Sequence, residues 1–399
     1  MQSQAPAGAA SAPLLAGIRV IDLSQIYNGP YATYLMALAG AEIVKIEPPG
    51  GEPLRRRGVV GGAALPFAML NGAKQSVVLD LKSAEGIAAL KQLVADADVL
   101  VENFAPGVMD RLGVGEDVLR AINPRLIYAS SSGYGRDGPY RDYPAMDLTI
   151  QAMCGVMETT GFPDRPPVKA GPAVGDFFAG IHLYGAIVTA LFARERTGVA
   201  HRAEVAMQDV IYASLSSSLG LAFGAEEGAD LPSRTGNRHG GLAECPYNVY
   251  PASDGYIAMI CVRDVHWQAL TREMERPDLA ADPELATLKG RVGQMNRIDA
   301  LVAEWTAPQT KAALFARLLT AKVPSAPVRT LAEVMTDPNM HARGTLIYQD
   351  HPQYGRIVVQ QSPMRYAGVD PIDITPSRPL GADTLAVVGD LTQTESLTG

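Results

Sequence analysis

The segment Gly171-Pro-Ala-Val-Gly-Asp-Phe-Phe-Ala-Gly180 sets one carboxylate, Asp176, between glycines at the head of an apolar run. From Phe177 to Phe192 the residues Ile181, Tyr184, Val188, Leu191 and Phe192 recur with a helical rhythm, so Asp176 is expected where a helix begins. Two chemistries fit that place. One is an N-cap, because Asp accepts the first free backbone N–H groups of a helix well. The other is a nucleophile: those N–H groups and the helix dipole keep a carboxylate ionised, and Gly175 removes a side chain that would block a substrate. His182 on the same helix is expected in packing, not in chemistry.

Basic residues gather near predicted strand ends: Lys45, Arg55 to Arg57, Lys74, Lys82, Arg111, Arg136 and Arg141. A solvated face accounts for Arg55 to Arg57. A small molecule bearing phosphates would account for the wider distribution in an acidic protein. The run Gly133-Tyr-Gly-Arg-Asp-Gly138 has the spacing of a dinucleotide loop, but Pro139 and Pro144 follow where that loop must open a helix. Dinucleotide binding is therefore excluded.

These residues need a sheet to position them. Strands are expected at Ile18 to Leu23, Glu42 to Glu47, Ser76 to Leu81, Asp98 to Glu102 and Arg125 to Ala129, with helices at Gly29 to Ala39 and Ser83 to Ala95 between them. That alternation implies βαβ units, a mostly parallel sheet and ligands beyond the carboxyl ends of its strands. From about Gly224 the texture turns to Gly, Arg and Pro. The expected organisation is a disordered tail over 1–13, a large α/β domain from 14 to 223, a smaller α+β domain over 224–330, and a return to the large domain over 331–399.

The 399 residues are 47% apolar and 19% charged, a low charge content that suggests extensive burial or a subunit interface. With 34 basic against 42 acidic residues, a nucleic-acid binder is excluded. Cys154, Cys245 and Cys261 lack metal spacing and read as buried free thiols in a reducing compartment. The start has no basic n-region, and no apolar run is taken to reach the ~18 residues of a membrane span, so a cytoplasmic protein is expected.

In order along the chain stand Leu15-Ala-Gly-Ile-Arg-Val-Ile-Asp-Leu23, Gly29-Pro30, Leu38-Ala-Gly-Ala-Glu-Ile-Val-Lys-Ile-Glu47, and Asn71 with Leu79-Asp-Leu-Lys82. After them come Val101-Glu-Asn-Phe-Ala-Pro-Gly107, Arg111-Leu-Gly113, Ser132-Gly-Tyr-Gly135, Asp147, Gln151, Thr160-Gly161 and Gly175-Asp176-Phe177. This collinear set resembles the class III CoA-transferases, the family that includes formyl-CoA:oxalate CoA-transferase, carnitine CoA-transferase and α-methylacyl-CoA racemase. The resemblance implies a CoA-binding parallel-sheet domain with a smaller second domain, in an interlocked homodimer. It also implies Asp176 as nucleophile, with acyl-CoA and a free carboxylic acid as substrates and no metal.

Further roles follow from the resemblance. Leu79, Asp80, Leu81 and Lys82 border the adenine. Asn103, Phe104 and Arg111 lie along the nucleotide and pantetheine, and Met146 and Asp147 join the CoA-binding set. Gly240 and Gly241 close over the site. Backbone N–H groups near Asn28 and at Gly240 and Gly241 would hold oxyanions, and Tyr27 stands where the oxalate enzyme has a glutamine. Arg238 and His239, with Tyr27, are candidates for the far carboxylate of a dicarboxylic acid; a solvated Arg and His fit equally well. Racemases carry a His directly before Asp147, and this chain has Met146 there, which cannot carry a proton. The reading is an acyl-CoA:carboxylate CoA-transferase working through an aspartyl-CoA thioester. The alternative is an acyl-CoA racemase or epimerase.

Overall fold

A computed structural model of the chain describes residues 12–60, 65–226 and 232–389. Most of the expected tail over 1–13 lies outside them. The chain divides into two compact units. One comprises 1–150, 172–211 and 335–399; the other comprises 151–171 and 212–334. The smaller unit thus starts at Tyr212, earlier than the change of texture at Gly224, and it takes in the Gln151–Gly171 stretch.

The first unit is built on six parallel strands, β1 (Arg19–Asp22), β2 (Glu42–Glu47), β3 (Gln75–Val78), β4 (Val99–Glu102), β5 (Ile127–Ser132) and β6 (Ala203–Ala206), in the order β3-β2-β1-β4-β5-β6. β1 to β4 are rich in Val and Ile because both faces of the sheet are covered. Successive side chains alternate between the faces. Ile21, Val44 and Leu100 point to one face, where they meet Leu90, Leu93 and Val94 of helix α3 (Ala84–Ala95). Val20, Ile43 and Val99 point to the other, against Ala32 and Met36 of α1 (Asn28–Leu38) and Leu183 and Ile187 of α5 (Val174–Thr197). Each such fully buried aliphatic side chain stabilises the fold by roughly 1.5–3 kcal/mol, and Leu90→Ala would cost about 2–5 kcal/mol. Ser83 caps α3, its hydroxyl accepting from Gly86 N at 3.0 Å.

The predicted third strand ends at Val78 instead of Leu81. β6 lies outside every expected strand. Within the expected return over 331–399, β11 (Gly355–Gln360) pairs antiparallel with β10 (Leu346–His351). This hairpin packs Ile357 and Val359 on Tyr34 and Leu35 of α1. The chain then reaches the free edge of β3. Ser76 N donates to Asp383 Oδ2 at 2.9 Å, Asp383 N to Ser76 O at 2.9 Å, and Val78 N to Thr384 Oγ1 at 3.0 Å. Asp383 is therefore an edge cover for the sheet.

Helix α5 departs from the expected rhythm. Leu183, Ile187, Ala190 and Leu191 are buried, whereas Ile181 and Phe192 are exposed. At 24 residues, with a mean hydropathy of 1.5 over its best window, it is long and apolar enough to cross a membrane, contrary to expectation. One side of it is core.

The second unit holds the antiparallel sheet β7 (Tyr247–Ala252), β8 (Gly255–Ile260) and β9 (Ser325–Pro327). Helices pack Trp267, Leu270, Ile298, Val302, Leu314 and Leu318 against it. Arg291 is buried in this core, bonded to Asp264 at 2.8 Å and to the Cys245 carbonyl at 2.9 Å. Cys245 and Cys261 are buried free thiols, and Cys154 is half-buried.

Candidate active site

Strand order reverses at β1, which lies between β2 and β4, and ligands of such sheets bind at that reversal. The loop leaving β1, Ser24 to Tyr27, is pinned from every side. Ser24 N donates to Asp22 Oδ1 at 2.9 Å. Gln25 N donates to Asn103 Oδ1 at 2.8 Å, and Asn103 Nδ2 returns a bond to Gln25 O at 2.7 Å. Ile26 N donates to Glu52 Oε2 at 2.9 Å. Ile26 has φ 69°, a left-handed conformation that a β-branched residue adopts only when its surroundings enforce it. Gly29 is required beneath the loop, since a methyl group there would overlap Ser24.

Under this loop lies a buried charge network. Lys74 Nζ donates to Asp22 Oδ2 at 3.1 Å, Thr33 Oγ1 at 2.8 Å, Asn71 Oδ1 at 2.9 Å and Pro30 O at 3.0 Å. Lys45 Nζ donates to Ser24 O and lies 3.8 Å from Glu52. Burial works to raise the Asp22 carboxyl. The Lys45 and Lys74 charges, with the Ser24 and Thr33 hydroxyls, outweigh it and hold the group well below the carboxylate range. Burial brings the Lys74 ammonium down to about 8 against the pull of Asp22. Lys45 and Lys74 are thus structural cations, not the phosphate partners that their sequence positions suggested.

Asp176 faces the start of α1. It is the third residue of α5, whose N-cap is Ala173, so the N-cap reading is wrong. Gly180 lets α5 approach, because a methyl there would lie 2.6 Å from the Asn28 carbonyl oxygen. The Asn28 backbone N–H donates to the Asp176 carboxylate, and the Asn28 side chain accepts from Asn103 Nδ2 at 2.8 Å. Asp176 is only 7% exposed. Burial first, and then the Asp147 charge, push its carboxyl up to about 7, against the pull of Arg57 and the Asn28 N–H. The helix start therefore does not hold the acid ionised as the sequence suggested; desolvation and a second carboxylate win. Asp147 begins α4 (Asp147–Met153) and accepts from Gly175 N at 2.8 Å. A side chain on Gly175 would meet Asp147, Ile150 and Met207, so this glycine serves packing and not substrate access.

Aromatic rings frame the acid. Tyr27 stacks on Phe177 at 5.9 Å, and Tyr31 meets the Phe177 ring edge-on at 5.0 Å. Arg57, on α2 (Pro53–Val60), donates from Nη1 to the Tyr27 hydroxyl at 2.8 Å and lies 5.3 Å from its ring centroid. Sequence reasoning assigned Arg57 to a solvated face. Its only signal was membership of a basic run near a strand end.

The family model for CoA-transferase family III matches residues 15–384. The chain belongs to that family. Formyl-CoA:oxalate CoA-transferase of Streptomyces avermitilis is 37% identical, over 94% of this chain and 95% of that protein. Succinyl-CoA:mesaconate CoA-transferase of Haloarcula hispanica is 38% identical, over 87% of this chain and 89% of its own length. A crystal structure of a CAIB/BAIF family protein from Brucella suis superposes with a TM-score of 0.82 at 33% identity, covering 94% of this chain and 99% of that one.

In this CoA-transferase, Leu79, Asp80, Leu81, Lys82 and Phe104 line one cavity of about 170 Å³ with Leu23, Gln25 and Ile46, beyond the ends of β1 and β2. Asn103 is committed to holding the β1 loop, a positioning part and not a free ligand donor. Arg111 is exposed and lies outside that cavity. Met146 is 62% exposed, with its N–H on Thr149 Oγ1 at 3.0 Å. His182 is exposed too, its Nδ1 held at 2.8 Å from the Phe178 carbonyl, so it is not packed as expected.

Gly240 and Gly241 belong to the second unit. Gly241 N donates to His239 Nδ1 at 3.2 Å, and His239 Nε2 lies 3.3 Å from Ser217 Oγ. Arg238 is held by Asp299 at 2.7 Å and Asn296 at 2.7 Å, so it is not the spare cation that the sequence proposed for a substrate carboxylate. Among the described residues no group of His, Cys, Asp and Glu is arranged to hold a metal ion.

Proposed function

We propose that the enzyme moves CoA from an acyl-CoA to a dicarboxylic acid, with Asp176 as covalent carrier. The observation that carries this is the buried Asp176 carboxylate facing the Asn28 N–H where strand order reverses. Oxalate and mesaconate in the names of the two relatives support a two-headed acid. An Asp176 oxygen attacks the thioester carbonyl and expels CoA thiolate, leaving a mixed anhydride. The thiolate attacks the aspartyl carbonyl and releases the donor acid, giving an aspartyl-CoA thioester. The acceptor carboxylate then attacks that carbonyl and expels thiolate again. Finally the thiolate takes the acceptor acyl group and frees Asp176. Splitting the exchange into covalent steps is the gain of nucleophilic catalysis.

Each tetrahedral intermediate needs a donor already in place, for which the Asn28 N–H is the candidate. The nucleotide end of CoA is assigned to the Leu79–Lys82 cavity, whose apolar walls suit a base and whose Lys82 suits a phosphate. An interlocked homodimer is part of this reading; the exposed Ile181 and Phe192 on α5 support a covered surface there. The experiment is a panel of thioesters and free acids with CoA exchange followed by mass spectrometry, for wild type and Asp176→Asn. Wild type should exchange and hold a hydroxylamine-sensitive adduct on the Asp176 peptide, and the variant should do neither. Exchange surviving in a folded Asp176→Asn protein sinks the mechanism.

A further inference from the structure

The cations around the Asp176 loop are nearly all committed to carboxylates of the protein. Arg55 grips Glu47 with two bonds of 2.7 Å, and its Nη2 also reaches Ser76 and the Arg378 carbonyl. Lys45 and Lys74 are buried on Ser24, Glu52 and Asp22. Arg57 differs. Among the described residues it forms no ion pair with a carboxylate, and its hydrogen bond goes to a neutral phenol, Tyr27 Oη, at 2.8 Å. A guanidinium has five N–H donors in a planar fork, so most of this half-buried group is unspent. Its place is fixed by chemistry next to the acid: it lies over Tyr27, Tyr27 stacks on Phe177, and Phe177 follows Asp176 in the chain.

We infer that Arg57 receives the non-reacting carboxylate of a dicarboxylic acid and, with Tyr27, sets the enzyme's preference for two-headed acids. This rests on the transfer reading above and adds the residue that selects the substrate class. An acid entering to attack the aspartyl carbonyl must bring negative charge to a site already holding Asp147. A forked guanidinium on its far carboxylate offsets that repulsion with charge-assisted bonds. A monocarboxylic acid would set a methyl group against the same half-desolvated cation, the kind of mismatch that discriminates strongly.

The test measures transfer to oxalate against acetate, and to succinate against butyrate, in wild type, Arg57→Gln and Arg57→Lys. The donor is whichever thioester of the panel wild type uses fastest. Wild type should favour the diacid of each pair. Arg57→Gln should raise the diacid KM and shrink the diacid-to-monoacid ratio of kcat/KM by about 10- to 100-fold, with Arg57→Lys between the two. The ratio cancels any change in Asp176 reactivity or in folded fraction, since both act on the two acids alike. A ratio unmoved by Arg57→Gln overturns the assignment and leaves the transfer reading standing, whereas a wild type that prefers the monoacids overturns the assignment together with the dicarboxylic part of that reading. A wild type that passes CoA to no acid at all overturns both.

Discussion

Replacing Asp176 by Asn should inactivate the enzyme and stabilise it in one step. Burial and the Asp147 charge move this carboxyl from an ordinary 3.8 to about 7 in the folded chain. The fold therefore disfavours the ionised form. Each unit of displacement corresponds to about 1.4 kcal/mol, so the ionised carboxylate weakens the fold by up to about 4 kcal/mol, and by about 2 where water relaxes around it. The sign follows from proton linkage. Below the unfolded value both states carry the proton and the effect is absent; it grows as the pH rises towards about 7 and is constant above. Asn has the shape of the protonated acid without its charge, so the variant lacks the effect. Urea unfolding of both proteins from about pH 5 to about pH 8 should show the variant's advantage growing by about 2–3 kcal/mol across that range. A gap independent of pH, or a variant weaker than wild type at the alkaline end, would show that the fold favours the carboxylate and that the burial reasoning is wrong.

The same titration should appear in kinetics. On the proposed mechanism only the ionised acid attacks, so kcat/KM for the thioester should rise as the pH climbs through about 7 and then level off; a flat profile over that range argues against Asp176 as nucleophile. Lys74→Met should cost about 3–5 kcal/mol by stranding the fully buried Asp22, and adding Asp22→Asn should recover part of the loss. Denaturant midpoints that show the single variant as stable as wild type would contradict the network. In deuterated buffer a 2-methylacyl-CoA should keep its α-proton, since Met146 supplies no base. Rapid, acid-independent deuterium uptake that is lost in Asp176→Ala would instead establish the racemase alternative.

Five of the six parallel strands were legible because a strand buried on both faces must be a β-branched run, as Glu42–Glu47 shows residue for residue. β6 was not, since Ala203-Glu-Val-Ala206 has too little apolar bulk to stand out. Helix α5 was legible in existence but not in phase. It carries apolar residues on its buried and exposed sides alike, so Ile181 and Phe192 looked as central as Leu183 and Ile187. At the candidate site, the glycine-flanked helix start marked Asp176, Asn28 entered as a candidate oxyanion donor, and the resemblance added Asn103. Arg57 escaped because three consecutive arginines look alike in sequence, and only the turn of α2 sends Arg55 to Glu47 and Arg57 to Tyr27. Asp383, unassigned in sequence, proves to be bonded along the edge of β3.

That last contact has a consequence for synthesis. Asp383 and Thr384, which occupy the open edge of β3, follow it by about 300 residues, Asp383 standing 307 residues after its partner Ser76. At about 5–20 residues per second the bare edge waits some tens of seconds for its seal. During that interval its unpaired amides can recruit strands from neighbouring nascent chains. A message with a premature stop just upstream of Asp383 would leave Asp176, Asn28 and Arg57 all encoded, yet would yield polypeptides that stick to one another. The seal at Asp383 and Thr384 is remote in sequence from Asp176, and its loss should lower the yield of soluble enzyme.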